Sequence, residues 1–481
     1  MSYGPTKLSS NIVDKNFFFE LKPIEAWKAI FAWALAIGIS LVIGGSIATI
    51  TFPLGSVAVG WFLYRRHPLL YCSFTWWMWF VGPLIRRLID FRCGYLTPGP
   101  WTLTPLLVTA ISILTWLKYL PKARKYAGIP YIVAGVSCLY GYVIALVNED
   151  FFANIDQTTM LLLSWLAPIC FSFHLLAHWR DYPIYRQNLQ RTFLWGVLFM
   201  GFYGIVQYIL APPWDRFWIA QISKIGTLSF GIPEPFGIRV SSSMDSPQSF
   251  SVMMVAGLIL LFCIRGSQQL LATGIGYISF LLSLARSGWL SWLFAALVFF
   301  RTLKSSLQIR MLISILITIL IILPITTVEP FSTLISDRME TFSDGGNDVS
   351  LRGRRKAFDF LLGYAMTEFV GFGIQNPKPN IELSREFVVG DNGILVILFA
   401  LGWTGALPYV LSIIFLILQI RQACIKNNDL VLHAAYGIIW GLLSQVLFKT
   451  LTDGTMAMVL WGFTGIGMSA RNYHLSIKKT Y

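Results

Sequence analysis

Charge is scarce in this chain, so the places where it interrupts apolar sequence are the first candidates for chemistry. Arg286, in LLSLARSGWLSW, stands between two apolar runs. A charged side chain at such an edge is costly and is a functional candidate by default; its plainer role is that of a guanidinium reaching out to the interface. Arg239 heads the polar stretch GIRVSSSMDSPQSFS, and Arg352, Arg354 and Arg355 crowd together in SLRGRRK. Guanidinium groups gathered beside a membrane suit diphosphate oxygens, which they bind in bidentate fashion while neutralising charge. Singly, the same groups attract anionic headgroups. Asp391 and Asn392 open the apolar run DNGILVILFALGWTG. A carboxylate on the side of several arginines can take a proton from a hydroxyl as general base, and Asp is equally a favoured helix N-cap.

Other constellations say less. His174 and His178 share a helix face at i, i+4, a metal-ligand spacing without a carboxylate or cysteine to complete it, so interfacial packing is the expectation. Asp344 and Asp348 in DGGND lack the spacing of an EF-hand loop and read as a glycine turn. Gly371 and Gly373 in VGFGIQNP also read as a turn, one that lets backbone approach closely. P-loop, HExxH and GxSxG signatures are missing. The six cysteines show no CxxC spacing and are expected to pack.

The elements that must position these residues follow from composition. Of 481 residues, 56% are hydrophobic and 12% charged, about half the charge of a soluble domain. The excess falls into continuous apolar blocks near the length that a helix needs to cross a bilayer. Only helices and closed barrels satisfy their backbones in lipid, and these blocks do not alternate at period two. The expected class is therefore all-α, a polytopic transmembrane bundle forming one membrane domain over 1–481.

Spans are expected near 27–43, 45–64, 69–85, 103–118, 129–147, 159–178, 192–211, 249–265, 269–284, 287–302, 309–328, 392–420, 430–449 and 453–470. The stretch 69–85, rich in Trp and ending at two arginines, also fits a surface helix. With residues 1–26 cytoplasmic and the first span a retained anchor rather than a cleaved signal, alternate loops become basic, as short cytoplasmic loops are. They hold Arg65 and Arg66; Lys118, Lys122 and Arg124; Arg180, Arg186 and Arg191; Arg301 and Lys304; Arg421 and Lys426; and Arg471. Both termini then lie in the cytoplasm. The exception is the loop assigned to Arg86, Arg87 and Arg92, which this order leaves outside. A net charge of +14 spread over such loops is topological and argues against nucleic acid as a partner.

Two outer segments, 212–248 and 329–391, are too long to be turns. The second holds nine acidic and seven basic residues from Glu329 to Glu386. Within it SLRGRRKAFDFLLGYAMTEF reads as an amphipathic helix lying at the outer interface.

These residues resemble the superfamily of bacterial O-antigen ligases and O-antigen and exopolysaccharide polymerases. The resemblance covers approximately residues 190–470 and includes the large late periplasmic loop. Its re-entry motif is similar to Asp391, Asn392, nine further residues, then Gly402 and Gly405, with Asp391 standing where ligases carry His. RVSSSMDSP from Arg239 resembles the family's Arg-containing segment, and ARSGWL at Arg286 its SRxxWL-like segment. The RGRRKAFDFLL helix followed by VGFGIQN resembles its loop helix and glycine turn.

The resemblance implies a C-type glycosyltransferase in the bacterial inner membrane, acting at the periplasmic face without metal or other cofactor. Its donor would be undecaprenyl-diphosphate-linked glycan and its acceptor a glycan or lipid-linked sugar, with a polysaccharide-assembly complex as a further partner. Asp391 would be the base, Arg239 and Arg286 would act at the diphosphate, and Arg352, Arg354, Arg355 and Asn392 would bind substrate. Loss of the motif histidine favours a polymerase over a lipid A-core ligase. A flippase or transporter is the rival of another class; it would need charged paths to both faces.

Overall fold

The computed structural model describes residues 24–96, 99–148, 155–224, 230–326, 362–363, 367–374, 392–446, 449–452 and 454–480. Within these the chain is helical; the only strand-like pairing is an isolated antiparallel bridge between Gly231 and Ile238. The helices are α1 (Ile24–Ile43), α2 (Gly45–Arg66), α3 (Pro68–Cys93), α4 (Thr104–Ala110), α5 (Ile113–Tyr119), α6 (Ile129–Asn148), α7 (Ile155–Ala177), α8 (Tyr182–Leu210), α9 (Pro213–Lys224), α10 (Pro247–Leu261), α11 (Ser267–Leu282), α12 (Arg286–Thr302), α13 (Ser305–Thr326), α14 (Gly393–Lys426), α15 (Leu430–Leu443) and α16 (Gly454–Thr480).

Among the described residues, seven helices are long and apolar enough to cross a membrane: α1, α2, the stretch Trp101–Arg124 containing α4 and α5, α6, α7, the stretch Trp179–Leu210 ending in α8, and α14. The protein is thus a membrane-embedded helical bundle. Apolar side chains such as Phe31, Leu35, Val42 and Ile43 stand exposed on α1, as they must where lipid is the solvent. By contrast α10 is shorter, at 15 residues, and buried along almost its whole length. It packs against α8, α11, α12, α15 and α16. A helix apolar all round belongs at the centre of a bundle.

Segment 69–85 is part of α3, a 26-residue helix that runs through Pro83. It extends about 39 Å at 1.5 Å per residue. The arginines expected in a following loop, Arg86, Arg87 and Arg92, instead form its last turns. Arg87 finds its counter-charge, Asp215, inside the bundle. Segment 212–248 is likewise more than a loop, since α9 occupies its first part, with Asp215 and Trp218 on its buried side.

Side-chain and backbone contacts sort the residues into two ends. At one, the start of α2 meets the end of α3: a Cβ on Gly45 would sit 2.5 Å from the Arg92 Cβ. The same end holds α9, the segment 230–246, the heads of α10, α12, α14 and α16, and residues 369–374. At the other end Asp429, between α14 and α15, accepts hydrogen bonds from Tyr182 (2.9 Å), Arg186 (3.3 Å) and His474 (3.0 Å). Its other carboxylate oxygen caps α15 through the Val431 and Leu432 N–H groups. His174 and His178 belong to this second end. His174 Nδ1 lies 2.7 Å from Thr115 Oγ1, and His178 Nδ1 lies 2.9 Å from the His174 carbonyl oxygen. They pack as a pair with ring centroids 4.6 Å apart.

Candidate functional site

The site end is built on non-helical backbone inside the bundle, which lipid permits only where protein supplies every hydrogen-bond partner. The serine-rich stretch after Arg239 meets that demand residue by residue. Val240 N–H donates to the Leu282 carbonyl (3.1 Å). Gln207, wholly buried on α8, accepts from the Ser241 and Ser242 N–H groups at 3.0 and 2.8 Å. The Ser242 and Ser243 hydroxyls donate to the carbonyls of Met200 and Phe80. Serine is thus the residue type that can enter here without leaving a polar group stranded.

One buried ion pair holds this stretch against α3 and α9. Arg87 Nη1 donates to Asp215 Oδ1 at 2.5 Å, while its Nη2 donates to the Met244 carbonyl and to Ser241 Oγ (3.3 Å). Both side chains are essentially inaccessible, at 1% and 0% exposure. The guanidinium lies 5.0 Å from the Trp218 ring centroid, and Asp215 Oδ2 accepts from Tyr203 at 2.6 Å. Two charges can be this deep only because nearly every polar atom between them is used.

Arg239 is tied to the turn that precedes Arg286. Arg239 Nη2 donates to the Leu284 carbonyl at 3.1 Å. Leu284 has φ 50 in the short turn between α11 and α12, and Arg286 is the first residue of α12. Asn392 is the N-cap of α14: its Oδ1 accepts from the Ile394 and Leu395 N–H groups at 3.1 and 3.2 Å. The capping role considered for Asp391 therefore belongs to its neighbour. Asp391, Arg352, Arg354, Arg355, Asp344 and Asp348, with most of the amphipathic helix expected around Arg352, lie outside the described residues.

The glycine motifs have a structural meaning. α14 breaks at Gly402, where φ is 57 and ψ −173. Residues 369–374 lie along the break and take over its hydrogen bonds. Phe372 and Gly373 N–H donate to the Phe399 and Ala400 carbonyls, both at 2.9 Å, and Thr404 N–H donates to the Phe369 carbonyl at 3.1 Å. Ile374 N–H donates to the Gly141 carbonyl on α6 (2.9 Å), and Tyr140 OH to the Val370 carbonyl (2.9 Å). Gly373 must be glycine for a second reason, since a Cβ there would lie 2.3 Å from the Ala145 nitrogen.

Beside the break lies a cavity of about 520 Å³, within the range of small-molecule sites. Trp79, Leu106, Trp165 and Phe399 supply apolar wall, and Arg86 and Asp245 the charge. Arg86 Nε is 3.4 Å from Asp90 Oδ2. Asp245 Oδ1 is buried and has no hydrogen-bond partner among the described residues. Lys449, 6% exposed, donates to Ser249 Oγ at 3.2 Å on the first turn of α10, and its neighbour Thr450 lines the cavity.

Of the residues singled out from sequence, Arg239 binds the turn before Arg286 and Asn392 caps α14, while Arg87, Asp215, Gln207, Asp245 and Lys449 were not singled out. For Arg87 a signal was present, because it belongs to the one basic group that violated the charge order. No group of three or more His, Cys, Asp or Glu that could hold a metal ion is gathered among the described residues. No family model matches the chain, and no curated protein matches its sequence.

Proposed function

We propose that the chain is a membrane glycosyltransferase that passes undecaprenyl-diphosphate-linked glycan to a sugar hydroxyl at the periplasmic face, extending a polysaccharide. The observation that carries the reading is convergence. Arg239 is bound to the Leu284 carbonyl, two residues before Arg286, on the same end of the bundle as the Asn392 head of α14 and the cavity. The positive-inside rule supports the orientation, because Arg65, Arg66, Lys118, Arg186, Arg421 and Lys426 gather toward the opposite end.

In this reading the acceptor oxygen bonds to the anomeric carbon as that carbon's bond to the diphosphate breaks, the electron pair leaving on the diphosphate oxygen. Asp391 takes the hydroxyl proton. Arg239 and Arg286, joined by Arg352, Arg354 and Arg355, hold the charge that develops on the leaving group, which fixed guanidinium groups do without reorganising. Asp391 in place of the ligase histidine favours polymerisation over transfer to lipid A-core. The broken α14 is a feature that transporters also use. Here, however, the groups freed at Gly402 are taken by residues 369–374 instead of standing open to an ion.

The test is the polysaccharide profile of cells lacking the protein. A polymerase mutant keeps single repeat units on its acceptor, whereas a ligase mutant accumulates lipid-linked polymer. Complementation with Arg286→Gln or Asp391→Asn should fail to restore long chains while the protein stays in the membrane. An unchanged profile in the deletion strain would end the enzyme reading.

A further inference from the structure

We infer that the cavity beneath Asp245 is a binding site for an uncharged sugar, the acceptor end of the glycan, and is separate from the place where diphosphate is held. The inference rests on the enzyme reading above and assigns its second substrate. The argument starts from charge. Among the described residues the lining carries Arg86 and Asp245, one charge of each sign, and Arg86 is already partnered by Asp90. A diphosphate would enter against the Asp245 carboxylate with a single, partly neutralised cation to hold it. The arginines suited to a diphosphate, Arg239 and Arg286, are not part of the lining.

A polyprenyl tail fits no better. It would leave the Asp245 oxygen buried without a hydrogen bond, which is costly in an apolar setting, and would leave Arg86 with Asp90 alone. A sugar satisfies both demands. Its hydroxyls can donate to Asp245 Oδ1 and accept from Arg86, and further hydroxyls line the wall at Ser164, Thr450, Thr452 and Thr455.

The apolar side of a sugar ring needs a flat wall, and two fixed indoles provide one. Trp79 is 6% exposed, with its Nε1–H already donated to Thr109 Oγ1 at 3.0 Å. Trp165 is 4% exposed, its ring 5.9 Å from that of Tyr409. Both line the cavity. A few convergent polar groups in an aromatic-walled cavity are the pattern of a small-molecule site.

The cavity also borders α14 and the segment docked on its break. Val396, Phe399 and Ala400 line it from α14, whose first residue follows the Asn392 cap, and Ile374 lines it from the segment docked on the break. A sugar seated against Asp245 would therefore lie beside the helix whose cap, Asn392, follows the proposed base in sequence.

The test uses the full chain in lipid nanodiscs. The probe is the phosphate-free repeat-unit oligosaccharide released by mild acid from the lipid-linked glycan of cells lacking the protein; undecaprenyl diphosphate is bound in parallel. Asp245→Ala and, independently, Trp165→Leu should each weaken oligosaccharide binding at least about tenfold, equal to ~1.4 kcal/mol. Undecaprenyl diphosphate should bind both variants as it binds the native chain. Three outcomes overturn the proposal: native-like oligosaccharide affinity in both variants, tighter diphosphate binding once the carboxylate is gone, or an Asp245→Ala chain that cannot be recovered folded from the membrane. The enzyme reading fails separately. Oligosaccharide binding sensitive to Asp245, in a protein whose deletion leaves cellular polysaccharide unchanged, keeps the sugar site and removes the transferase.

Discussion

Breaking the Arg87–Asp215 pair from one side should be far worse than removing it altogether. In Asp215→Leu the Arg87 guanidinium stays buried with only Ser241 and the Met244 carbonyl as partners, and Tyr203 loses its acceptor. Leaving one member of a buried pair uncompensated costs about 3–5 kcal/mol. Arg87→Met leaves Asp215 with Tyr203 alone and falls in the same range. Were the two effects independent, the double variant would lose about 6–10 kcal/mol by simple addition. It should instead lose about 1–3 kcal/mol, chiefly from the Met244 carbonyl left without a donor, because no charge remains to be buried. The assay is unfolding of the purified variants in mixed micelles by denaturing detergent, read as a double-mutant cycle. Singles within about 1 kcal/mol of the native chain, or a double as damaged as their sum, would refute the reasoning that this pair's chief energetic role is mutual neutralisation.

Gly373→Ala should undock residues 369–374, since its Cβ meets backbone on α6 and not a movable side chain. The chain should still reach the membrane, but polysaccharide elongation should fall at least about tenfold, a loss of ~1.4 kcal/mol in transition-state stabilisation; full complementation would contradict it. Asn392→Ala removes the cap of α14 and should cost about 1 kcal/mol in detergent unfolding, while Asn392→Asp, which keeps an acceptor, should cost less than that. At the opposite end, burial pushes the Asp429 carboxyl up, but the His474 hydrogen bond, the Arg186 charge and the Tyr182 hydroxyl together carry it below its ordinary value. A group depressed in the folded state stabilises above its unfolded pKa, about 3.9 for Asp, and that stability is lost as pH falls through the folded value. The margin of the native chain over Asp429→Asn should accordingly shrink as pH falls below about 4; a margin that grows as pH falls below about 4 would reverse the sign.

How much was legible in the sequence divides along one physical line. Membrane helices announce themselves, because lipid demands a run of apolar residues whatever they pack against, and α1, α2, α6, α7, α8 and α14 were all foreseen in place. Arg286 drew notice for the same reason, as a charge interrupting apolar sequence, and Arg239 as the head of a polar stretch. What could not be read was pairing. Gln207 is an unremarkable amide on α8 until the Ser241 and Ser242 N–H groups arrive from another part of the chain. Asp215 was hidden in a presumed loop, 128 residues from the arginine it neutralises.

The arginines at the end of α3 show how an exception to one rule can report another. By loop charge alone, Arg86, Arg87 and Arg92 were an error in the topology. Had they been a topological signal, they would have faced solvent at the cytoplasmic end; instead Arg87 is among the most deeply buried side chains in the bundle and Arg86 lines the cavity. If the proposed orientation holds, these basic residues lie on the side that does not call for them and are stabilised by something else, Asp215 for Arg87 and Asp90 for Arg86. The two adjacent arginines then divide the work. Arg87 binds α3 to α9 and to the Met244 backbone, fixing the segment that ends at Asp245, and Arg86 faces the same cavity as Asp245 from the helix so anchored. The misplaced charges of the topology are thus what sets the geometry of the site.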